Sequence, residues 1–236
     1  VPPKDQAVDV ASPALSSDSR FEQDQGSIAI INSVEVIPRL TTKYVPYFNW
    51  DSDSHHSANE KVATLRLLYP APDSSEEYPL LVPRVGKSDA HVANEYVPIN
   101  ELINTVHVVG KYLLGDELAT KAVTDPGTGI LRMLERARNK RDGPGFVRAV
   151  QDYNRIIEAR RAVLDGIGYK KWGLPYELVT HVMDQVYNRV VAPKVDLLGN
   201  YKAFSNNVYG EVNPILVKEF IKRTNLGPDG VFVDLG

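Results

Sequence analysis

The sequence predicts an α/β protein whose 236 residues are mostly helical, with a small β region near the amino terminus and only the first strand of a core sheet at the other end. Three observations predict it. Apolar residues recur at helical spacing through residues 99–193. β-branched and apolar runs fill residues 27–36 and 62–68. The last six residues, Val231-Phe232-Val233-Asp234-Leu235-Gly236, read as a buried strand ending at a glycine turn. A nucleotide-type cofactor site opens that way in a parallel sheet. The sequence opens on Val1, and no further strand follows Gly236, so both ends read as fragment ends.

Composition narrows the classes. Apolar residues make up 43% and charged residues 24%, the range of ordinary globular domains. There is no cysteine, which excludes disulfides and thiolate metal sites. No apolar run reaches the ~18 residues of a membrane span. The net charge of −3 argues against an unaided nucleic-acid binder. That charge is uneven. Residues 132–171 hold eleven Lys and Arg against five Asp and Glu, so this window is +6 and the remainder −9. The window suits a polyanion, an acidic protein face or a set of solvated helix faces.

The elements follow in order. Residues 1–26 are rich in Pro, Ser, Asp and Gln and read as a disordered tail. Residues 27–98 form a mixed strand and loop region, with strands at 27–36 and 62–68 and an irregular, proline-rich stretch over 70–98. His55-His56 lies in a Ser/Asp loop with no cysteine partner and reads as an exposed loop, not a metal site. Residues 99–193 form a helical cap. Asn100 can cap a helix with the stripe Leu102, Ile103, Val106, Val109 and Leu113. Asp125-Pro126-Gly127 breaks it before a helix at about 129–139, and Gly143-Pro144-Gly145 breaks the chain again. Phe146, Val150, Tyr153, Ile157 and Leu164 share one face of a long helix. Pro175 can start another, with Val179, Val182, Met183, Val186 and Val190 facing inward. Tyr153 and Tyr187 read as packing residues at the core edge.

Residues 194–236 carry the chemistry. Phe204, Val208 and Tyr209 are too apolar for an ordinary solvated loop, and Gly210 permits close backbone approach. Asn213 and Pro214 start a helix whose buried face is Leu216, Val217, Phe220 and Ile221, and Asn225-Leu226-Gly227-Pro228 stops it. Asp234 then falls at the carboxyl end of the strand, where open α/β sheets place ligands.

The pattern Asn200-Tyr201-x-x-Phe204-Ser205-x-x-Val208-Tyr209-Gly210-Glu211, a helix, then Phe232-Val233-Asp234-Leu235-Gly236 resembles the disruptor-of-telomeric-silencing histone methyltransferases, the Dot-one family. Asp152-Tyr153-Asn154-Arg155 and Gln185-Val186-Tyr187-Asn188 also look like this family. The resemblance covers about 147–236; the earlier part is a looser match, closest in character to fungal members. It implies an S-adenosylmethionine-dependent methyltransferase with a seven-stranded, non-SET sheet and a helical amino-terminal cap. It implies transfer of a methyl group to lysine 79 of nucleosomal histone H3, in the nucleus, with a role in chromatin regulation and telomeric silencing. The implied partners are the nucleosome and histone H3, with other histones and nucleosomal DNA as further contacts and no membrane.

Residue by residue, the resemblance implies that Tyr209, Gly210, Glu211 and Val212 line the methionine end of the cofactor. Phe232, Val233, Asp234, Leu235 and Gly236 form the strand and turn beneath it. Phe204 walls the lysine channel. Val212 departs from the threonine often found there, which removes a side-chain hydroxyl. Methyl transfer needs alignment, a neutral amine and exclusion of water more than a strong protein nucleophile. Aromatic faces at Phe204 and Tyr209 suit a sulfonium or methylammonium. The fragment is expected to be inactive by itself. Two other readings stand beside this one: a non-catalytic nucleosome-binding helical module, and another α/β cofactor enzyme with a similar loop.

Overall fold

A computed structural model describes residues 31–40, 42–50, 64–84, 95–164, 174–194, 212–227, 230, 231 and 233. All belong to one unit. Its spine is the 22-residue helix α5 (Gly143–Leu164). Phe146, Val150, Tyr153 and Ile157 repeat every three or four residues, so one stripe of α5 is apolar, and all four are buried. Against it packs α4 (Ile130–Lys140), which contributes Ile130, Leu134 and Ala137 to the same core. The chain turns at Arg141, in the left-handed region at φ 55°, and Asp142 Oδ1 accepts the Gly145 N–H at 2.8 Å. The glycine-proline stretch expected to break the chain is therefore the first turn of α5. Proline fits there because the first helical N–H groups have no partner to lose.

Helix α2 (Pro98–Tyr112) buries the predicted stripe of Leu102, Ile103, Val106 and Val109. It starts at Pro98, and its cap is Val97, three residues before the predicted cap Asn100. Helix α3 (Glu117–Thr124) approaches it closely: a Cβ on Gly110 would overlap the Val123 side chain. Asp116 caps α3 by accepting the Ala119 N–H at 2.8 Å.

Two antiparallel strand pairs flank the helices. β1 (Tyr44–Pro46) pairs with β4 (Leu81–Pro83), and β2 (Thr64–Leu68) pairs with β3 (Ser75–Pro79), with Leu67 opposite Glu76. The strand expected over 62–68 is thus present as β2. The stretch expected to be irregular holds β3 and β4 instead. Pro46, Pro79 and Pro83 sit at strand ends, where a missing ladder donor costs least. Asn154 on α5 extends the sheet's bonding: its Oδ1 accepts the Leu68 N–H at 2.9 Å, and its Nδ2 donates to Arg66 O at 2.8 Å.

The strand expected over 27–36 is corrected over 31–36, and 27–30 lie outside the described residues. Residues 33–36 form a short helix, α1 (Ser33–Val36), followed by a 3₁₀ turn (Ile37–Arg39). A carboxylate decides this: the Ser33 N–H donates to Glu76 Oε1 at 2.7 Å, satisfying a helix-start donor from outside the segment.

The basic window is partly internal. Arg161 donates to Tyr69 O at 3.1 Å and to Ser74 O; Arg160 donates to Leu114 O at 3.2 Å and lies 3.6 Å from Asp116. Arg155 pairs with Asp152, and Arg141 lies over the Tyr47 ring at 5.1 Å. Arg136, Lys140 and Arg148 are exposed and have no ion pair among the described residues. No described helix is long and apolar enough to cross a membrane.

Candidate functional site

The carboxy-terminal part begins with α6 (Tyr176–Val186), a π-helical segment (Tyr187–Val191) and a 3₁₀ turn (Ala192–Lys194). Pro175 caps α6, as its stiff φ predicts. The predicted inward face is only partly inward: Val179 is half-buried and the other four are exposed. Val182 is 48% exposed, and Met183, Val186 and Val190 are comparably open. No residue of α6 or of the π segment is buried. The pattern is amphipathic, yet the described residues cover its apolar side only in part.

Polar bonds hold this segment to the core. Glu177 accepts from Lys111 Nζ at 2.6 Å and from Tyr112 Oη at 2.6 Å, both on α2, and lies 3.5 Å from His107 Nδ1. These contacts hold the exposed Glu177 carboxyl below its usual range and raise Lys111 to about 12. His181 Nε2 and Thr105 Oγ1 are 3.0 Å apart.

The strongest anchor is Arg189. Its Nη1 lies 2.8 Å from Glu76 Oε1 and donates to Ile31 O at 2.9 Å. Its Nη2 pairs with Glu101 Oε1 and is 3.4 Å from Tyr78 Oη. Both glutamates are buried. Glu76 also accepts from Tyr69 Oη at 2.6 Å and Tyr78 Oη at 3.1 Å. Tyr96 Oη meets Ser33 Oγ and lies 3.5 Å from Glu101 Oε1. One guanidinium thus faces two carboxylates from β3 and α2. Among the described residues, Glu101 Oε2 and Arg189 Nε have no hydrogen-bond partner.

The electrostatics follow from that count. Burial raises the Glu101 carboxyl, and Arg189 opposes this only in part. Burial by itself would lower the Arg189 guanidinium, but Glu101 and Glu76 outweigh it, so it stays firmly charged. Burial pushes Tyr78 and Tyr96 up, which keeps them neutral donors. Sequence reading missed this cluster. Its three charged members lie 25 and 88 positions apart, and no local periodicity joins them.

The last described helix, α7 (Pro214–Thr224), has the predicted signals. Asn213 Oδ1 accepts the Ile215 N–H at 2.9 Å, Pro214 is the first residue, and Asn225 closes the helix at φ 51°. Its predicted buried face is exposed: Leu216 is 63% open, with Val217, Phe220 and Ile221 also accessible. Lys218 Nζ sits 4.3 Å above the Tyr176 ring, a cation–π contact that ties α7 to α6.

Of the predicted site residues, Val212 and Val233 are described, and both are exposed. Phe204, Tyr209, Gly210, Glu211, Phe232, Asp234, Leu235 and Gly236 lie outside the described residues. The predicted core strand is not formed where it is described, because Val231 and Val233 pair with no strand. A strand takes its bonds from neighbours, and no described strand lies beside them. The side chains of Val212 and Val233 can supply apolar contact to a cofactor, and a polar contact there would come from the backbone.

Residues 187–236 match the family model described as "Histone methylation protein DOT1". A Gibberella zeae protein named "Histone-lysine N-methyltransferase, H3 lysine-79 specific" is 34% identical over 229 residues, 94% of this chain and 42% of that protein. The chain resembles the DOT1 family, with the family-model match at its carboxy-terminal end.

Two further relatives carry the same name. One from Chaetomium globosum is 35% identical over 73% of this chain and 32% of its own length. One from Mycosarcoma maydis is 44% identical over 50% of this chain and 15% of its own length. The chain therefore spans less than half the length of these relatives. The DOT1 match begins at Tyr187, the first residue of the π segment, two positions before Arg189.

Proposed function

We propose that this chain is part of a histone-lysine N-methyltransferase that methylates lysine 79 of nucleosomal histone H3. The observation that carries this is the DOT1 match over 187–236 together with the shared name of relatives aligned along up to 94% of the chain. In this reading the complete protein is nuclear, and residues 231–233 become the first strand of a seven-stranded sheet once its neighbours are present.

S-adenosylmethionine, the donor in this reading, supplies an electrophilic methyl group on a sulfonium. Tyr209, Gly210, Glu211 and Val212 line its methionine end, and residues 232–236 form the turn beneath it. Phe204 walls the lysine entry, excluding water and helping to hold the lysine amine neutral and in line. The described residues support the frame rather than the pocket. Helices α6 and α7 present apolar faces of the kind a completed sheet would cover, and Arg189 fixes where that part begins.

The test uses the full-length protein containing this chain, with recombinant nucleosomes. Donor-dependent methylation should appear on wild-type histone H3 and vanish when lysine 79 of the histone is replaced by arginine. Tyr209→Ala and Gly210→Arg should reduce it far more than Tyr187→Phe. Equal activity on both nucleosomes would refute the substrate assignment.

A second reading is a non-catalytic nucleosome-binding module. Its support is the exposed, unpaired set of Arg136, Lys140 and Arg148 on α4 and α5. A protein that binds nucleosomes and transfers no methyl group would favour it.

A further inference from the structure

We propose that Arg189 is the positioning residue that sets the donor-binding segment on the amino-terminal core. The inference rests on the methyl-transfer reading above and adds to it a named residue and a route.

The argument starts from what holds α6 and the π segment. Neither has a fully buried residue among those described, so the apolar packing seen there is partial. Hydrophobic contact is also non-directional. Directional bonds remain: Glu177 and His181 tie α6 to α2, and in the π segment the bonds converge on one side chain. The Arg189 fork reaches Ile31 O, Glu76 of β3 and Glu101 of α2 at once. A planar guanidinium meets carboxylates along fixed directions, so three anchors from three parts of the core determine position as well as attachment.

Buried ion pairs are weak evidence for stability, and their best-attested use is to specify geometry. The imperfect accounting here agrees: one oxygen of Glu101 and the Nε of Arg189 are buried and unpaired. A cluster selected for stability alone would do better with apolar side chains. Its place in the chain points the same way. Arg189 lies in a π turn, a geometry concentrated at functional sites. The DOT1 match starts two residues earlier. A described route then leads on: α6 carries Tyr176, Tyr176 receives Lys218 of α7, and α7 follows directly on Val212.

Arg189→Lys keeps the charge and loses the fork. It is compared, in the full-length protein, with Ile157→Val, a core change that serves as the control for lost stability. Donor affinity is read by calorimetry with S-adenosylmethionine, and backbone hydrogen exchange is read at 187–194 and 214–224 against α5. Arg189→Lys should weaken donor binding at least about tenfold and raise the donor KM similarly, with kcat at saturation within about twofold. Its exchange should rise at 187–194 and 214–224 relative to α5. Ile157→Val should change neither affinity nor this exchange pattern. If Arg189→Lys does not fold, Glu101→Gln carries the same test, since it releases one arm of the fork and keeps the Glu76 pair. Behaviour of the Arg189 or Glu101 variant matching that of Ile157→Val overturns the proposal. Failure of the parent to bind the donor overturns the methyl-transfer reading, and the exchange pattern then decides the anchoring role.

Discussion

Helices α2, α4 and α5 and helices α6 and α7 carry the same kind of amphipathic pattern and meet opposite fates. Phe146, Leu102 and Val106 are fully buried, whereas Leu216 and Val182 stand largely open. The first set closes on itself, because α4, α5 and β2 supply complementary apolar faces within residues 64–164. The second set has directional polar anchors and only partial apolar cover among the described residues. The contrast teaches that periodicity identifies a face meant to be covered, and does not say which segment covers it.

The sharpest way to break this comparison is paired truncation. Phe146→Ala should destabilise the chain by about 3–5 kcal/mol through lost transfer energy and a cavity. Leu216→Ala should cost no more than about 0.5 kcal/mol, as exposed positions do. Equal losses in denaturant melts would show that α7 is packed as firmly as α5.

Next in size is Arg189→Met. Stripping one partner from a buried ion pair usually costs about 3–5 kcal/mol. Here about 2–4 kcal/mol is expected, because Glu101, already shifted upward by burial, can take up a proton. Adding Glu101→Gln should recover part of the loss in a double-mutant cycle. No recovery would mean that the carboxylate is not what suffers.

A pH series gives a smaller effect. Burial lowers the His181 pKa below 6.5, with Arg189 and His107 adding to the shift and Asp184 and Glu76 opposing it. The unfolded chain therefore binds a proton more readily, and the His181 contribution is lost as pH falls below about 6.5. Glu101 has the opposite sign. Its raised pKa favours the folded state at low pH, and that contribution fades as pH rises above the ordinary carboxylate range. His181→Gln should flatten the melting temperature between about pH 6.5 and pH 5.5. A slope unchanged from the parent would remove His181 from this account.

The smallest expected change is Glu177→Gln. Its partners Lys111 and His107 are themselves largely solvated, so the melting temperature should move by less than about 3 °C. A larger drop would place the α2–α6 contact among the principal anchors.

Much of the helical architecture was legible. The stripes of α2 and α5, the proline start of α6, and both caps of α7 could be read because each depends on residues within a turn or two. The α1 segment was misread because its β-branched residues promise a strand, while a carboxylate 43 residues away captures the Ser33 N–H. β3 and β4 were missed because prolines read as breakers, though at strand ends they break nothing. Of the candidate site, the family resemblance was legible in the loop and strand motifs, and Val212 and Val233 are the described members of the expected set.

Sequence by itself determined the periodic faces, the caps and the family motif, since these are local and chemical. Only the tertiary structure decided that Glu76, Glu101 and Arg189 meet, and that no residue of α6 or α7 is fully buried among the described residues. Both depend on which distant segments come together, and a one-dimensional period carries no record of that.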